Sequence, residues 1–270
     1  IGLPATNNTT KKIFWLDAGI HAREWVAPAT ALYIINELVT KYDSNSDYKN
    51  LVDNMDFYIL PSANPDGYEY SRNEDRMWRK TRGGPYKGGW WGRSCYGADP
   101  NRNWDFKWGV SGTSSSPCSD IYKGPKAFSE VETKQMSEFL TSIKDNMNAY
   151  ISLHSYSCLW LYSYGYASHT YPEDINQLKT LSEEAVADIK TVHGKTYQYG
   201  SPTDILYAAS GASDDWVKGV LATPWVYTLE LEPGSNSNYG FMLPADLIIP
   251  TADEAWAGIK LVAEKVLSTS

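Results

Sequence analysis

Short apolar runs alternate with amphipathic segments along most of the chain. Residues 12–20 form an apolar run typical of a buried strand, which stops at the polar cluster 21–24. Apolar residues recur at helical spacing between positions 28 and 42, which predicts a helix. A second strand is predicted at 56–60, ended by a dense turn signal at 61–67. The chain therefore begins with the order strand, helix, strand.

The rest of the chain continues this alternation after one long interruption. Residues 69–124 have no sustained period and many Gly, Trp and Arg residues, which predicts a long functional loop region. Ser129 and Glu132 form a capping-box pattern that predicts a helix reaching Ile143. Further elements are predicted as a strand at 149–154, a helix at 173–192, a strand at 225–231 and a helix at 251–267. The alternation predicts an α/β sheet covered by helices on both faces, with ligands at the strand ends.

Composition and charge narrow the class of protein. The 270 residues are 42% hydrophobic and 21% charged, which is typical of a globular protein. We expect one domain over residues 1–270, because no linker or repeat interrupts the sequence. The net charge of −8 disfavours nucleic acid as a partner. The apolar stretches are shorter than the ~18 residues of a membrane span, so no membrane partner is expected either.

Cysteines and possible glycosylation sites bear on the cellular compartment. Cys95, Cys118 and Cys158 allow one disulfide and one free thiol. The first two lie in loop-rich sequence, which favours a Cys95–Cys118 bond, and Cys158 lies in an apolar run that favours a buried, inert thiol. Asn7 and Asn8 match the glycosylation acceptor pattern, which is short and often arises by chance.

Three residues have the types and spacing of metal ligands. His21 and Glu24 are three positions apart, and His154 ends another predicted strand. Two histidines and a glutamate are the protein ligands of one kind of catalytic zinc site, which keeps a fourth position open. A histidine followed by a glutamate at this spacing is common by chance, however, and a histidine at a strand end is often structural. These residues alone leave both interpretations open.

A series of motifs in a fixed order covers nearly the whole chain and resembles the pancreatic-type zinc carboxypeptidases, the carboxypeptidase A/B family. The motifs are GIHAREW at 19–25, PSANPDGY at 61–68, WRKTR at 78–82, NRNWD at 101–105, HSYS at 154–157, ILYAASG at 205–211, TLEL at 228–231, YGF at 239–241 and IPTA at 249–252. The resemblance implies a twisted, mixed parallel and antiparallel sheet with helices on both faces. It also implies a zinc-dependent exopeptidase with one zinc ion per chain.

The same resemblance implies the residues of the reaction. His21, Glu24 and His154 would hold zinc, and Glu230 would be the general base. Zinc acidifies water, and a nearby carboxylate can take the proton and deliver it to the leaving amine. Arg79 would polarise the scissile carbonyl and stabilise the oxyanion.

Substrate binding is implied by further matching positions. Residues 72–107 carry nine Lys or Arg against four Asp or Glu, and this basic segment suits a carboxylate better than phosphate. By the resemblance, Asn101, Arg102 and Tyr207 would clamp the free C-terminus of the substrate. More distant substrate subsites would be lined by Arg23, Tyr156 and Phe241.

The expected specificity depends on Asp214. This residue matches the position where B-type members have an aspartate and A-type members an apolar residue, so the resemblance implies a preference for C-terminal Lys or Arg. A buried carboxylate without a cation is costly, which disfavours apolar substrates. Two alternatives stay open: Asp214 caps a short helix beginning at Asp215, or the enzyme has A-type preference for apolar residues.

Two departures from the family pattern stand out. Glu232 replaces the usual arginine in a segment, 232–238, that is longer than expected, and we expect it to make the pocket mouth more acidic. The family's first helix and two strands, which precede the strand at 12–16, are missing from this sequence.

The resemblance also implies a biological setting. Expected partners are peptide and protein C-termini, protein protease inhibitors and the enzyme's own propeptide, in a secreted, extracellular zymogen. Digestion and peptide-hormone processing both stay open as roles. The alternatives outside this class are a non-catalytic homologue that binds peptide C-termini and a saccharide-binding module, suggested by the 20 Tyr and 11 Trp.

Overall fold

A computed structural model describes residues 1–4, 10–88 and 92–269 of the chain. The candidate glycosylation sites Asn7 and Asn8 lie outside the described residues.

A six-stranded sheet forms the centre of the fold. Its strands are β1 (Lys12–Ala18), β2 (Met55–Leu60), β5 (Met147–Ser157), β6 (Leu159–Tyr162), β7 (Gln198–Gly200) and β8 (Trp225–Gly234), and a separate hairpin contains β3 (Tyr86–Lys87) and β4 (Ser94–Cys95). The strand order is β2-β1-β5-β8-β6-β7. The first four strands in that order are mutually parallel, and β6 runs antiparallel to β8. The predicted mixed sheet is therefore confirmed.

Helices cover both faces of this sheet. They are α1 (Val26–Thr40), α2 (Ser46–Asn54), α3 (Pro65–Asn73), α4 (Val131–Ile143), α5 (Ile175–His193), α6 (Pro202–Ile205), α7 (Ser213–Val220) and α8 (Ile248–Ser268). Phe14 and Leu16 of β1 pack with α1, α2, α5 and α8 in one core cluster. Ile13 and Trp15 pack with α4 and α7 in the other. This alternation along a strand buried on both faces explains why its sequence is almost continuously apolar.

The predicted turn at 61–67 is in part the start of α3. Pro65 is the first residue of that helix, and the Asn64 side chain accepts a hydrogen bond from the Gly67 N–H at 3.0 Å. Asparagine and proline favour both turns and helix N-termini, so their presence alone does not separate the two structures. The interpretation of residues 69–73 as loop is wrong for the same reason.

The capping box predicted at Ser129 is also wrong. Helix α4 begins at Val131, two residues later, and Glu130 occupies its N-cap position without a side-chain cap bond. Asn103, distant in sequence, accepts hydrogen bonds from the Glu130 N–H at 3.1 Å and the Thr133 hydroxyl at 2.8 Å. The Ser129 hydroxyl instead accepts a hydrogen bond from the Asn103 amide at 2.9 Å. A tertiary contact thus replaces the local cap.

The structure confirms the predicted disulfide and the predicted free cysteine. Cys95 in β4 is bonded to Cys118, and Cys158 is buried outside this disulfide. Burial raises the pKa of the Cys158 thiol to about 12, which keeps it protonated and unreactive at neutral pH.

Among the helices of the described residues, none is both long enough and apolar enough to span a membrane.

Candidate active site

The turn after β1 brings His21 and Glu24 to the carboxyl end of the strand. Gly19 has a φ of +70°, a left-handed conformation that favours glycine, and a Cβ there would lie 3.0 Å from the Pro28 Cγ. The Glu24 N–H donates to the His21 carbonyl at 3.3 Å, which closes a tight turn just before α1. Both side chains are therefore fixed by the backbone that links the strand to the helix.

His154, near the end of the neighbouring strand β5, completes a buried group of three potential ligands. Their exposed fractions are 4% for His21, 2% for Glu24 and 1% for His154. The Nδ1 atom of His21 lies 2.8 Å from one Glu24 carboxylate oxygen, and Nδ1 of His154 lies 3.0 Å from the other. One ligand atom from each residue falls within 4.8 Å of the others. Two imidazole nitrogens and a carboxylate oxygen at this spacing fit a zinc ion.

The ionisation of this group follows from burial and mutual contact. Burial alone would raise the pKa of Glu24, but the charges of His21 and His154 outweigh it and lower that pKa. Burial disfavours a charged His154, whereas Glu24 favours it and raises the pKa of His154 to about 9. At neutral pH His154 of the metal-free group is thus protonated on both ring nitrogens, and the proton on Nδ1, which faces Glu24, has to leave when a metal binds.

Asp99 links the first histidine to Arg79. The Nε2 atom of His21 lies 3.1 Å from Asp99 Oδ1, and the other Asp99 oxygen accepts from the Arg79 Nε and Nη2 at 3.0 and 2.9 Å. Burial opposes ionisation of Asp99, but the Arg79 charge holds its pKa well below the usual range. Such outer carboxylates orient metal-binding histidines. Asp99 is not predictable from the sequence, because no spacing rule connects it to His21.

Glu230 lies beside His154 on the adjacent strand β8. The two residues are register partners in the parallel pairing of β5 and β8, so their side chains point to the same face. Burial, followed by the negative charge of Glu24, raises the pKa of Glu230 to about 7 in the metal-free protein. A carboxylate next to the three potential ligands, with a pKa in this range, can accept a proton during a reaction.

A cavity of about 60 Å³ collects most of the other predicted residues. Its lining includes His21, Arg79, Asn101, Arg102, Tyr207, Asp214 and Glu230. Arg102 is 3% exposed, and its guanidinium is held by the carbonyls of Asn101 at 2.7 Å and Gly112 at 2.9 Å. The Asn101 side-chain oxygen accepts from the Ser213 N–H at 2.9 Å, which leaves its NH₂ group free to donate. Tyr207 is 53% exposed at the rim.

Asp214 lies in the first turn of α7 and on the wall of the same cavity. The N-cap residue of this helix is Ala212, so the alternative that Asp214 is the cap is wrong. Asp214 is 5% exposed and accepts a hydrogen bond from the Thr228 hydroxyl at 3.2 Å. None of the ion pairs found between described residues includes it. Its carboxylate is therefore available to a cation that enters the cavity.

Arg23, Tyr156 and Phe241 form a cluster of their own. The Arg23 guanidinium lies 4.4 Å from the centre of the Phe241 ring, and the Tyr156 and Phe241 rings are 5.0 Å apart in a T-shaped arrangement. None of the three lines the 60 Å³ cavity. The structure thus brings these three residues together outside the cavity that contains Asp214.

The prediction that Glu232 makes the pocket mouth more acidic is wrong. Glu232 is 6% exposed and forms an ion pair with Lys195 at 2.5 Å. It lines another cleft, which includes Cys158 and the segment 233–237, and does not line the cavity of Asp214. The positive charge of Lys195 offsets the negative charge of Glu232. The sequence pattern does not reveal this pairing, because the two residues are far apart in the chain.

A buried His/Glu/His group at the ends of parallel strands, with a further carboxylate beside it, defines a metal-dependent hydrolase of the α/β class. Comparison with known sequences gives the family. A sequence model of the zinc carboxypeptidases matches residues 2–258. Carboxypeptidase B of Astacus astacus is 47% identical over 261 residues, which cover 96% of this chain and 82% of the relative. The chain belongs to the zinc carboxypeptidase family, and zinc is accordingly the cofactor of the site.

Relatives named carboxypeptidase A match this chain, as does the carboxypeptidase B of Astacus astacus. Carboxypeptidase A2 of Rattus norvegicus is 44% identical over 256 residues, covering 95% of this chain and 59% of the relative. Bovine thrombin-activatable fibrinolysis inhibitor, solved in complex with tick carboxypeptidase inhibitor, superimposes with a TM-score of 0.88 at 39% identity, covering 95% of this chain and 83% of that one. This chain therefore spans little more than half the length of some relatives, and family membership leaves the choice between A-type and B-type substrates open.

Proposed function

We propose that this protein is a zinc-dependent exopeptidase that hydrolyses the C-terminal peptide bond of peptides and prefers Lys or Arg at the C-terminus. The observation that carries the specificity is Asp214, which is buried, lacks a cationic partner among the described residues and lines the same cavity as Arg102. A cavity that holds a cation for the substrate's terminal carboxylate and an anion for its side chain fits a basic C-terminal residue.

The reaction would proceed at the strand ends. Zinc held by His21, Glu24 and His154 would supply a Lewis acid that polarises the peptide carbonyl and acidifies water. Glu230 would accept a proton from the attacking water and return it to the leaving amine. Arg79, fixed by Asp99, would donate hydrogen bonds to the carbonyl oxygen as negative charge develops there.

The clamp on the substrate would determine exopeptidase action. Arg102 would pair with the terminal carboxylate, and the free amide of Asn101 would donate a further hydrogen bond. Tyr207 at the exposed rim would cover the bound residue. The separate cluster of Arg23, Tyr156 and Phe241 would contact residues farther from the C-terminus of the peptide.

We further propose that residues 1–270 act as a single catalytic domain outside the cell. The Cys95–Cys118 disulfide supports an oxidising compartment. The bovine relative solved with a tick inhibitor supports protein inhibitors as partners, with a propeptide as a second expected partner.

The decisive experiment compares hydrolysis of blocked dipeptides that end in Lys, Arg, Phe or Glu, with and without a zinc chelator. We expect chelator-sensitive cleavage of the Lys and Arg substrates. The substitution Asp214→Asn should lower kcat/KM for these two by about 30-fold to 5,000-fold, the loss typical of removing one partner of a buried charge pair. The matched control is Asp145→Asn, because the Asp145 side chain is 84% exposed.

The outcomes separate the remaining functions. Preference for Phe in the unmodified protein would favour A-type specificity and exclude the proposed role of Asp214. Binding of a peptide C-terminus without turnover would favour the non-catalytic homologue.

A further inference from the structure

A buried aspartate lies behind the metal-binding group and takes no part in the proposed reaction. Asp17 of β1 is the register partner of Ser152 of β5, so the two side chains lie side by side on the same face of the sheet. Asp17 has no exposed surface. Its two oxygens accept hydrogen bonds from the Trp15 indole N–H at 2.8 Å and from the Ser152 hydroxyl at 2.7 Å.

The Ser152 hydroxyl connects this aspartate to His154. Its oxygen lies 3.2 Å from the Nε2 atom of His154. A serine hydroxyl has one proton, and Ser152 donates it to Asp17, so the serine oxygen can only accept from the histidine. The other ring nitrogen, Nδ1, faces Glu24 at 3.0 Å and His21 at 3.1 Å, which is the ligand side.

We propose that Asp17 and Ser152 are positioning residues of the metal site, which hold His154 with its proton on Nε2 and its Nδ1 directed at the metal. The inference rests on the proposed zinc site. The Asp17 carboxylate favours this arrangement by accepting the hydrogen bond of the Ser152 hydroxyl, which orients the serine lone pairs towards the imidazole.

The two histidines of the proposed metal site are thus held by different outer carboxylates. His21 contacts the Asp99 carboxylate directly, and Asp99 also binds Arg79, which lines the substrate cavity. His154 reaches a carboxylate through one hydroxyl, and neither Asp17 nor Ser152 lines that cavity. A defect in this second chain should therefore weaken metal binding while KM of the zinc-loaded enzyme stays unchanged.

The test measures the zinc dissociation constant of Ser152→Ala by competition with a chelator of known affinity. We expect binding about 10-fold to 100-fold weaker than in the unmodified protein. The matched control is Ser182→Ala, which removes an equally buried hydroxyl that donates to the Leu178 carbonyl within α5, at 2.7 Å. It should bind zinc within twofold of the unmodified protein. Equal affinity of both variants and the unmodified protein would overturn the inference, whereas failure of the unmodified protein to bind zinc would overturn the proposed function as well.

A second measurement needs no substitution at Ser152 and applies even if that variant does not fold. The chain has four histidines, so ¹⁵N-histidine labelling gives a simple spectrum of the zinc-loaded protein. We expect the His154 ring proton on Nε2. A proton on Nδ1, with Nε2 bound to the metal, would contradict the hydrogen bond to Ser152 and exclude the inference.

Discussion

Glu230 is the residue whose proposed role depends most directly on its place beside the ligands. Replacing it by glutamine keeps the shape of the side chain and removes the proton acceptor. We expect kcat of Glu230→Gln to fall by about 100-fold to 10,000-fold, the range for loss of a general acid–base residue. Steady-state kinetics on a Lys-terminated dipeptide, together with the zinc content of the purified variant, would measure this.

Glu264→Gln is the control for this substitution, because the Glu264 side chain is 44% exposed on α8 and pairs with Lys260. Its kcat should equal that of the unmodified protein. A Glu230→Gln variant that binds zinc and retains a third or more of kcat would exclude Glu230 as the base.

Asp214 makes the specificity depend on pH. Burial disfavours its charged form and raises its pKa, so this carboxyl takes up a proton at a higher pH than an exposed aspartate does. Below that pKa the side chain is neutral and loses its attraction for a basic substrate. The ratio of kcat/KM for Lys over Phe substrates should therefore fall as the pH falls through the raised pKa, and recover above it.

Zinc binding and the ionisation of Glu230 affect kcat/KM of the Lys and Phe substrates equally. Their pH dependence therefore cancels when the ratio of the two kcat/KM values is taken. In Asp214→Asn the ratio should be low and independent of pH. A ratio in the unmodified protein that stays constant between about pH 4 and about pH 8 would contradict a charged specificity pocket.

At the scale of elements, the β3–β4 hairpin belongs to a long connection held by the Cys95–Cys118 disulfide. The two cysteines are 23 positions apart, and linking them reduces the entropy of the unfolded chain. Replacing both by alanine should lower the free energy of unfolding by about 3 kcal/mol. Urea denaturation of the zinc-loaded proteins would measure this.

Neither cysteine lines the substrate cavity, so kcat/KM of the double variant should change less than threefold. An unfolding free energy equal to that of the unmodified protein would show that the bond does not restrict the unfolded chain.

Elements with one clear periodicity can be predicted from the sequence, and those determined by distant contacts cannot. The long helices α5 and α8 and the strands β1 and β8 lie within a few residues of their predicted positions, because each has a regular apolar pattern. The start of α4 depends on Asn103, 27 positions before Glu130. No local pattern reports such a contact. The nine-residue helix α2, which the pattern does not predict, begins at a cap formed by Asn45.

The site shows the same division. His21, Glu24 and His154 have the residue types of metal ligands, but spacing alone leaves their role open, and the family motifs supply the rest. Asp99 is invisible in the sequence because folding alone brings it to His21. Asp17 does leave a signal, since a charged residue interrupts an apolar strand, although its partner Ser152 follows only from the strand register.

At the scale of the whole molecule, zinc binding should stabilise the fold. All three proposed ligands are buried, and they come from two adjacent strands of the central sheet or the turn after one of them. At a free zinc concentration 100 times the dissociation constant, binding adds about 2.7 kcal/mol, which corresponds to a rise in Tm of roughly 5–10 °C. Thermal denaturation with and without added zinc would measure the shift.

His154→Ala should abolish this shift. His169→Ala, which removes an exposed histidine, should retain it. A shift that persists in His154→Ala would show that zinc stabilises the protein from another place.

The parallel pairing of β5 with β8 restricts where residues can be inserted into the chain or deleted from it. This register sets Ser152 beside Thr228 and His154 beside Glu230, so one backbone ladder aligns a ligand, the proposed base and the hydroxyl that holds Asp214. Inserting or deleting one residue between Thr228 and Glu230 would turn Glu230 to the opposite face of the sheet. The segment after Gly234 is free of this constraint. Tolerated insertions and deletions should therefore accumulate at 235–238 and be absent from 225–231.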